Sequence, residues 1–91
     1  MTIIDEAKEL IEGQRRIDYG DAGDCFDKIS SLWSTYLGKR LQSDLTSFDV
    51  INMMILLKVA RNSNGVHTRD TYVDIVGYAA LSEVIELGQM T

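Results

Sequence analysis

Proline is missing from the 91 residues altogether, and cysteine, tryptophan and histidine occur once each. A lone cysteine, Cys25, excludes an internal disulfide and a cysteine-based zinc site. No apolar run is long enough to span a bilayer and no basic-then-apolar leader is visible. The expectation is therefore a cytoplasmic protein with no membrane partner. Positive charge is scarce as well: nine Lys and Arg against fourteen Asp and Glu leave a formal charge of -5 and a pI near 4.6. That balance argues against nucleic acid as the main partner. It leaves room for a small anion wherever a few cations converge. No P-loop, Rossmann glycine pattern or Ser/His/Asp set is present.

What the chain does have is ordinary globular composition, 45% apolar and 25% charged. It reads as one domain over residues 1–91, large enough for a core and small enough to gain from association. No period-2 alternation and no internal repeat appear, and four helical patterns follow one another. Thr2 caps a first helix with Ile3, Ile4, Ala7, Leu10 and Ile11 on one face and Gly13 as its stop. Asp21 or Asp24 caps a second, whose buried stripe is Phe26, Ile29, Trp33, Tyr36 and Leu37 before Gly38 ends it. Thr46 or Ser47 opens a third, apolar almost all round from Val50 to Ala60, with Lys58 and Arg61 near its end. Asn62-Ser63-Asn64-Gly65 is a turn signal before the last. The fold class is all-α, a compact four-helix antiparallel bundle.

The last helix, Thr68 to Leu87, carries the sharpest conflict in the sequence. Tyr72, Val73, Ile75, Val76, Tyr78, Ala79, Ala80, Leu81, Val84 and Ile85 leave little room for a solvated face, yet Asp74 stands among them with Asp70 one turn before. A buried carboxylate without a partner costs several kcal/mol, so Asp74 calls for a cation, a donor or a metal. Gly77 costs ~1 kcal/mol in a helix, which close approach of a neighbouring helix or ligand would offset.

Up-down-up-down connectivity brings Arg15, Arg16, Asp18, Tyr19, Asp24, Asp27, Lys58, Arg61, His67, Arg69, Asp70 and Asp74 to one end of the bundle. Asp24 and Asp27 facing Asp70 and Asp74 offer oxygen ligands to Mg²⁺. Lys58, Arg61 and Arg69 suit the phosphates of a nucleotide, with Tyr19 to stack its base and Arg16 and His67 at the rim. Simpler readings stand beside these. Asp74 with Lys58 or Arg61 is equally well a structural ion pair; Asp24 a cap; Asp70 a dipole partner; His67 a turn residue; and Trp33, Met53 and Met54 core. Cys25 has no evident base and reads as inert.

Several of these motifs also carry a resemblance. Asp18-Tyr19-Gly20, Phe26-Asp27-Lys28-Ile29, Leu32-Trp33 with Tyr36-Leu37, Met53-Met54 through Arg61, and His67 through Tyr78 resemble a phage and prophage family catalogued as domain of unknown function 6378. The pattern departs at Cys25, in place of an asparagine, and at Gly65-Val66, in place of a proline-containing turn. More distantly, Val73-Asp74-Ile75-Val76-Gly77-Tyr78 looks like the last metal-binding helix of MazG-like all-α nucleoside triphosphate pyrophosphohydrolases. That resemblance implies an oligomer using Mg²⁺ and paired acids, with Asp27, Asp70 and Asp74 catalytic. Here aspartates replace the glutamates, and Asp70-x-x-x-Asp74 has one residue too many. Two functions follow as expectations: a Mg²⁺-dependent nucleotide-binding protein or pyrophosphohydrolase, and a non-catalytic module that sequesters a nucleotide or binds a host protein. The excess of apolar surface on the last two helices predicts a homo-oligomer.

Overall fold

The computed structural model describes residues 1–13, 22–63 and 68–89. Among them are four α-helices, α1 (Ile3–Glu12), α2 (Ala22–Leu37), α3 (Ser47–Ser63) and α4 (Arg69–Gln89), with a 3-10 turn at Gly38–Arg40 and no strand. The all-α, four-helix architecture is the one the sequence predicts.

Threonine starts three of the helices. The Thr2 hydroxyl accepts from the Asp5 amide at 3.1 Å, and the Asp5 carboxylate accepts in return from the Thr2 amide at 3.3 Å. Thr46 and Asp49 repeat this reciprocal cap before α3, at 3.2 and 2.9 Å. Thr68 accepts from the Thr71 amide at 3.2 Å before α4. Each cap satisfies amides that the helix itself leaves free. Asp24 lies inside α2, and Asp21, the other candidate cap there, is outside the described residues. At its far end α2 stops on Gly38, whose φ of 51° is left-handed and suits a residue without a Cβ.

The core is built by α2, α3 and α4. Phe26, Val50, Ile51 and Ile85 are buried together, with Ile29, Trp33, Met54, Tyr78 and Leu81 half-buried around them. Phe26 meets Tyr78 edge-on, with ring centroids 6.5 Å apart and planes at 88°. Two residues assigned to the core by periodicity are not in it. Tyr36 is 83% exposed and Met53 38% exposed, because each sits on a flank of its helix that no neighbour covers. Small polar residues line the α2–α3 contact instead. Buried Ser34 accepts from the Leu45 amide at 2.8 Å, and buried Ser47 donates to the Asp27 carboxylate.

These contacts fix direction. Asp27 lies beside Ser47 and Ser34 beside Leu45, so the segment entering α3 runs back along α2, and α3 begins beside the first half of α2. Lys58 lies beside Asp74, and Val50 and Ile51 share a cluster with Ile85, so α3 and α4 are antiparallel. Among the described residues α1 packs on α4 alone, with Ala7 and Val73 buried. Met1 and Glu6 reach Arg69 while Ile11 reaches Gly77, so α1 runs in the same sense as α4. Gly13 therefore ends α1 beside the middle of α4 rather than beside its start.

Candidate functional site

Asp74 has the cation that its surroundings demand. Its carboxylate lies 3.1 Å from the Lys58 ammonium across the α3–α4 seam, with the two side chains 29% and 13% exposed. The seam places them there because α3 ends beside the start of α4, and the long lysine stem lies along apolar surface while its head reaches the acid. One helical turn beyond Lys58, on the same face, Asn62 is buried and its Oδ1 has no hydrogen-bond partner among the described residues. Asp70 stands one turn before Asp74, exposed in the first turn of α4, where the helix dipole stabilises a negative charge. Arg61 is exposed and makes no ion pair among the described residues.

The other expected members lie elsewhere. Arg69 turns toward α1, donating to the Met1 carbonyl at 2.6 Å and pairing with the Glu6 carboxylate. Its charge thus fastens α1 and does not join Lys58. Asp27 is bonded to Ser47 at the start of α3, whereas Lys58 lies eleven residues along the same helix, about 16 Å of rise away. Asp24 is exposed in the first turn of α2. The expected facing of Asp24 and Asp27 with Asp70 and Asp74 is corrected accordingly: α2 crosses toward the opposite end of α3, so the two acidic pairs do not meet. No three His, Cys, Asp or Glu side chains among the described residues are grouped to hold a metal ion. Arg16, Tyr19 and His67, with Arg15 and Asp18, lie outside the described residues.

The arrangement left at the α3–α4 end is Lys58, Asn62, Asp70 and Asp74. It offers ammonium donors and a buried amide acceptor to a small polar group. It presents no nucleophile beside a base. Asn62, which opens a turn signal in the sequence, lies inside α3 instead, and Glu6 carries no signal of its own. The i, i+4 spacing of Asn62 from Lys58 was a usable signal, whereas Glu6 becomes a partner of Arg69 only through the direction in which α1 packs.

The chain belongs to the family described as domain of unknown function (DUF6378), whose model matches residues 2–86. Its relatives come from mycobacteriophages. It is similar to the Gene 55 protein of Mycobacterium phage L5, 47% identical over 88 residues, covering 96% of this chain and 54% of that protein. It is also similar to the Gene 55 protein of Mycobacterium phage D29, 39% identical over 84 residues, covering 92% of this chain and 53% of that one. The chain thus spans about half the length of the curated relatives it matches. No solved structure matches. Neither the family description nor the relatives' names carry an activity, and the MazG-like resemblance finds no support among them. Among the described residues no helix is long and apolar enough to cross a membrane.

Proposed function

We propose that this phage-family protein is a non-catalytic helical binding module that engages a host or phage protein. The observation that carries this reading is the amount of large apolar surface turned to solvent: Leu32 and Tyr36 on α2, Leu56 and Leu57 on α3, and Val84 and Leu87 on α4. Side chains of this size in pairs along a helix offer surface for association rather than groups for chemistry. Two of the three cations expected to meet phosphates are already taken up, Lys58 by Asp74 and Arg69 by Glu6, which favours the same reading.

A nucleotide-binding reading is supported by one separate observation, the buried and unpartnered Asn62 oxygen one turn from Lys58. A nucleotide amino group would satisfy that acceptor, with Lys58 and Arg61 near its phosphates. Asp74 is already held by Lys58, which competes with a cation for the carboxylate that would act beside Asp70. No metal-dependent step follows from them.

Incubation with a panel of nucleoside triphosphates and Mg²⁺, with released pyrophosphate measured, separates these functions. The binding-module reading expects no release and no nucleotide-dependent rise in melting temperature. Mg²⁺-dependent release that is lost in Asp74→Asn would overturn it. Retention of a specific host protein by the wild-type chain, lost in Leu32→Glu with Tyr36→Glu, is the positive result expected.

A further inference from the structure

The outward face of α3 holds Met53, Leu56, Leu57 and Ala60, which are all exposed; Leu56 is exposed over 65% of its surface. Their i, i+3, i+4, i+7 spacing puts them in one stripe along the helix. The inner side of the same helix is already occupied, since Val50, Ile51 and Lys58 face α2 and α4. Read from either end, the stripe has the same spacing, because the gaps are three, one and three residues about a centre between Leu56 and Leu57. We infer that this face seats the same face of a second copy of the chain, antiparallel, about a two-fold axis at Leu56 and Leu57.

Two features support a second copy as the occupant. The first is shape: inversion about that centre brings each Met53 opposite the partner's Ala60, so a long side chain meets a small one twice while four leucines fill the middle. Alternating large and small residues is what lets two helix surfaces interdigitate. The second is area. Met53, Leu56, Leu57, Val59 and Ala60 together expose on the order of 400 Å² of mostly apolar surface, near the largest patch a monomer normally shows. Exposed Asp49, Asn52 and Arg61 border it and bring each side toward the roughly 800 Å² per partner of a standard interface. An apolar centre with a polar rim is the anatomy of such contacts. A two-fold contact of this kind is self-limiting, so the product is a dimer and not a filament.

The inference rests on the association reading and is separable from it. A monomer that still retains a host protein removes the dimer alone, and a dimer that releases pyrophosphate removes the association reading alone. Sedimentation equilibrium on the full chain is the test. Wild type is expected to be a dimer, and Leu56→Glu and Leu57→Glu to raise the dissociation constant by roughly 100-fold or more with helical content unchanged. Ala60→Met places two methionines in one space and is expected to weaken the dimer about tenfold. Adding Met53→Ala to Ala60→Met restores the large-small pairing and should recover most of the loss. A wild-type chain that stays monomeric to its solubility limit overturns the proposal, as does a dimer indifferent to the glutamates. Failure of Met53→Ala to rescue Ala60→Met overturns the antiparallel arrangement.

Discussion

Val50 and Ile51 on one side of α3 and Leu56 and Leu57 on the other are all large aliphatic residues, yet the first pair is sealed and the second faces solvent. The difference lies outside α3. The inner side receives Phe26 from α2 and Ile85 from α4, while among the described residues α1 packs on α4 and leaves the other side uncovered. A helix apolar all round does not specify which side its own chain will cover. Burial of a residue is a property of its neighbours as much as of its type, and here the neighbours cover one side of the helix and leave the other open.

The sharpest way to break this comparison is to shorten one residue from each side. Ile51→Ala should cost ~3 kcal/mol in urea unfolding, since it removes sealed surface and leaves a cavity. Leu56→Ala should stay within about 0.5 kcal/mol at concentrations where the chain is monomeric. Equal losses would mean that the two sides are not distinct. Lys58 is where the inner side turns polar, and Lys58→Met should cost about 1–2 kcal/mol by leaving Asp74 without its cation in a half-buried place. Combining it with Asp74→Leu should recover most of that loss; no recovery would show that Lys58 matters for some reason other than the pair.

Smaller effects of opposite sign come from two glycines. Gly38→Ala should destabilise by ~1 kcal/mol, because its φ of 51° is left-handed. Gly77→Ala should stabilise by about 0.5–1 kcal/mol, since a Cβ there would sit 3.9 Å from Ile11, an ordinary contact, and a helix favours alanine. The smallest effect is one of pH. The Thr2 hydrogen bonds hold the Asp5 carboxyl below its ordinary value. The cap therefore contributes fully above the unfolded-state carboxylate pKa and is lost as pH falls through the lower folded value. A carboxyl-carbon NMR titration should show Asp5 titrating below the usual aspartate range; a midpoint within that range would mean that the cap is open in solution.

Helix positions were legible where local chemistry sets them. Thr2, Thr46 and Thr68 announce three starts and Gly13 and Gly38 two stops, since a cap needs only residues close in sequence. The Lys58–Asp74 pair was legible for a related reason: an acid in an apolar helix must be compensated, and the end of the preceding helix offered two cations. What sequence could not convey was the direction of α1 and the crossing of α2 over α3. Both depend on the summed fit of whole surfaces. That is why Arg69, which by sequence suits a phosphate, lies on Glu6, and why Asp27, which by sequence suits a metal, lies on Ser47. Tyr36 and Met53 were misplaced for the same reason, each lying on a flank where periodicity alone cannot say whether a neighbour arrives.

Among the described residues α1 is attached to α4 alone, which has a consequence for how the molecule comes apart. Its hold is one sealed alanine, the contacts of Ile11 and a half-exposed clasp from Arg69, all made to α4. The Phe26–Val50–Ile51–Ile85 cluster contains nothing from it. The first helix can then peel away as a unit while the other three stay closed, so its amides should exchange with solvent well before those of α3. Such an opening would lay bare Val73 and Gly77, giving the protein a second, transient apolar strip at the cost of only a local unfolding.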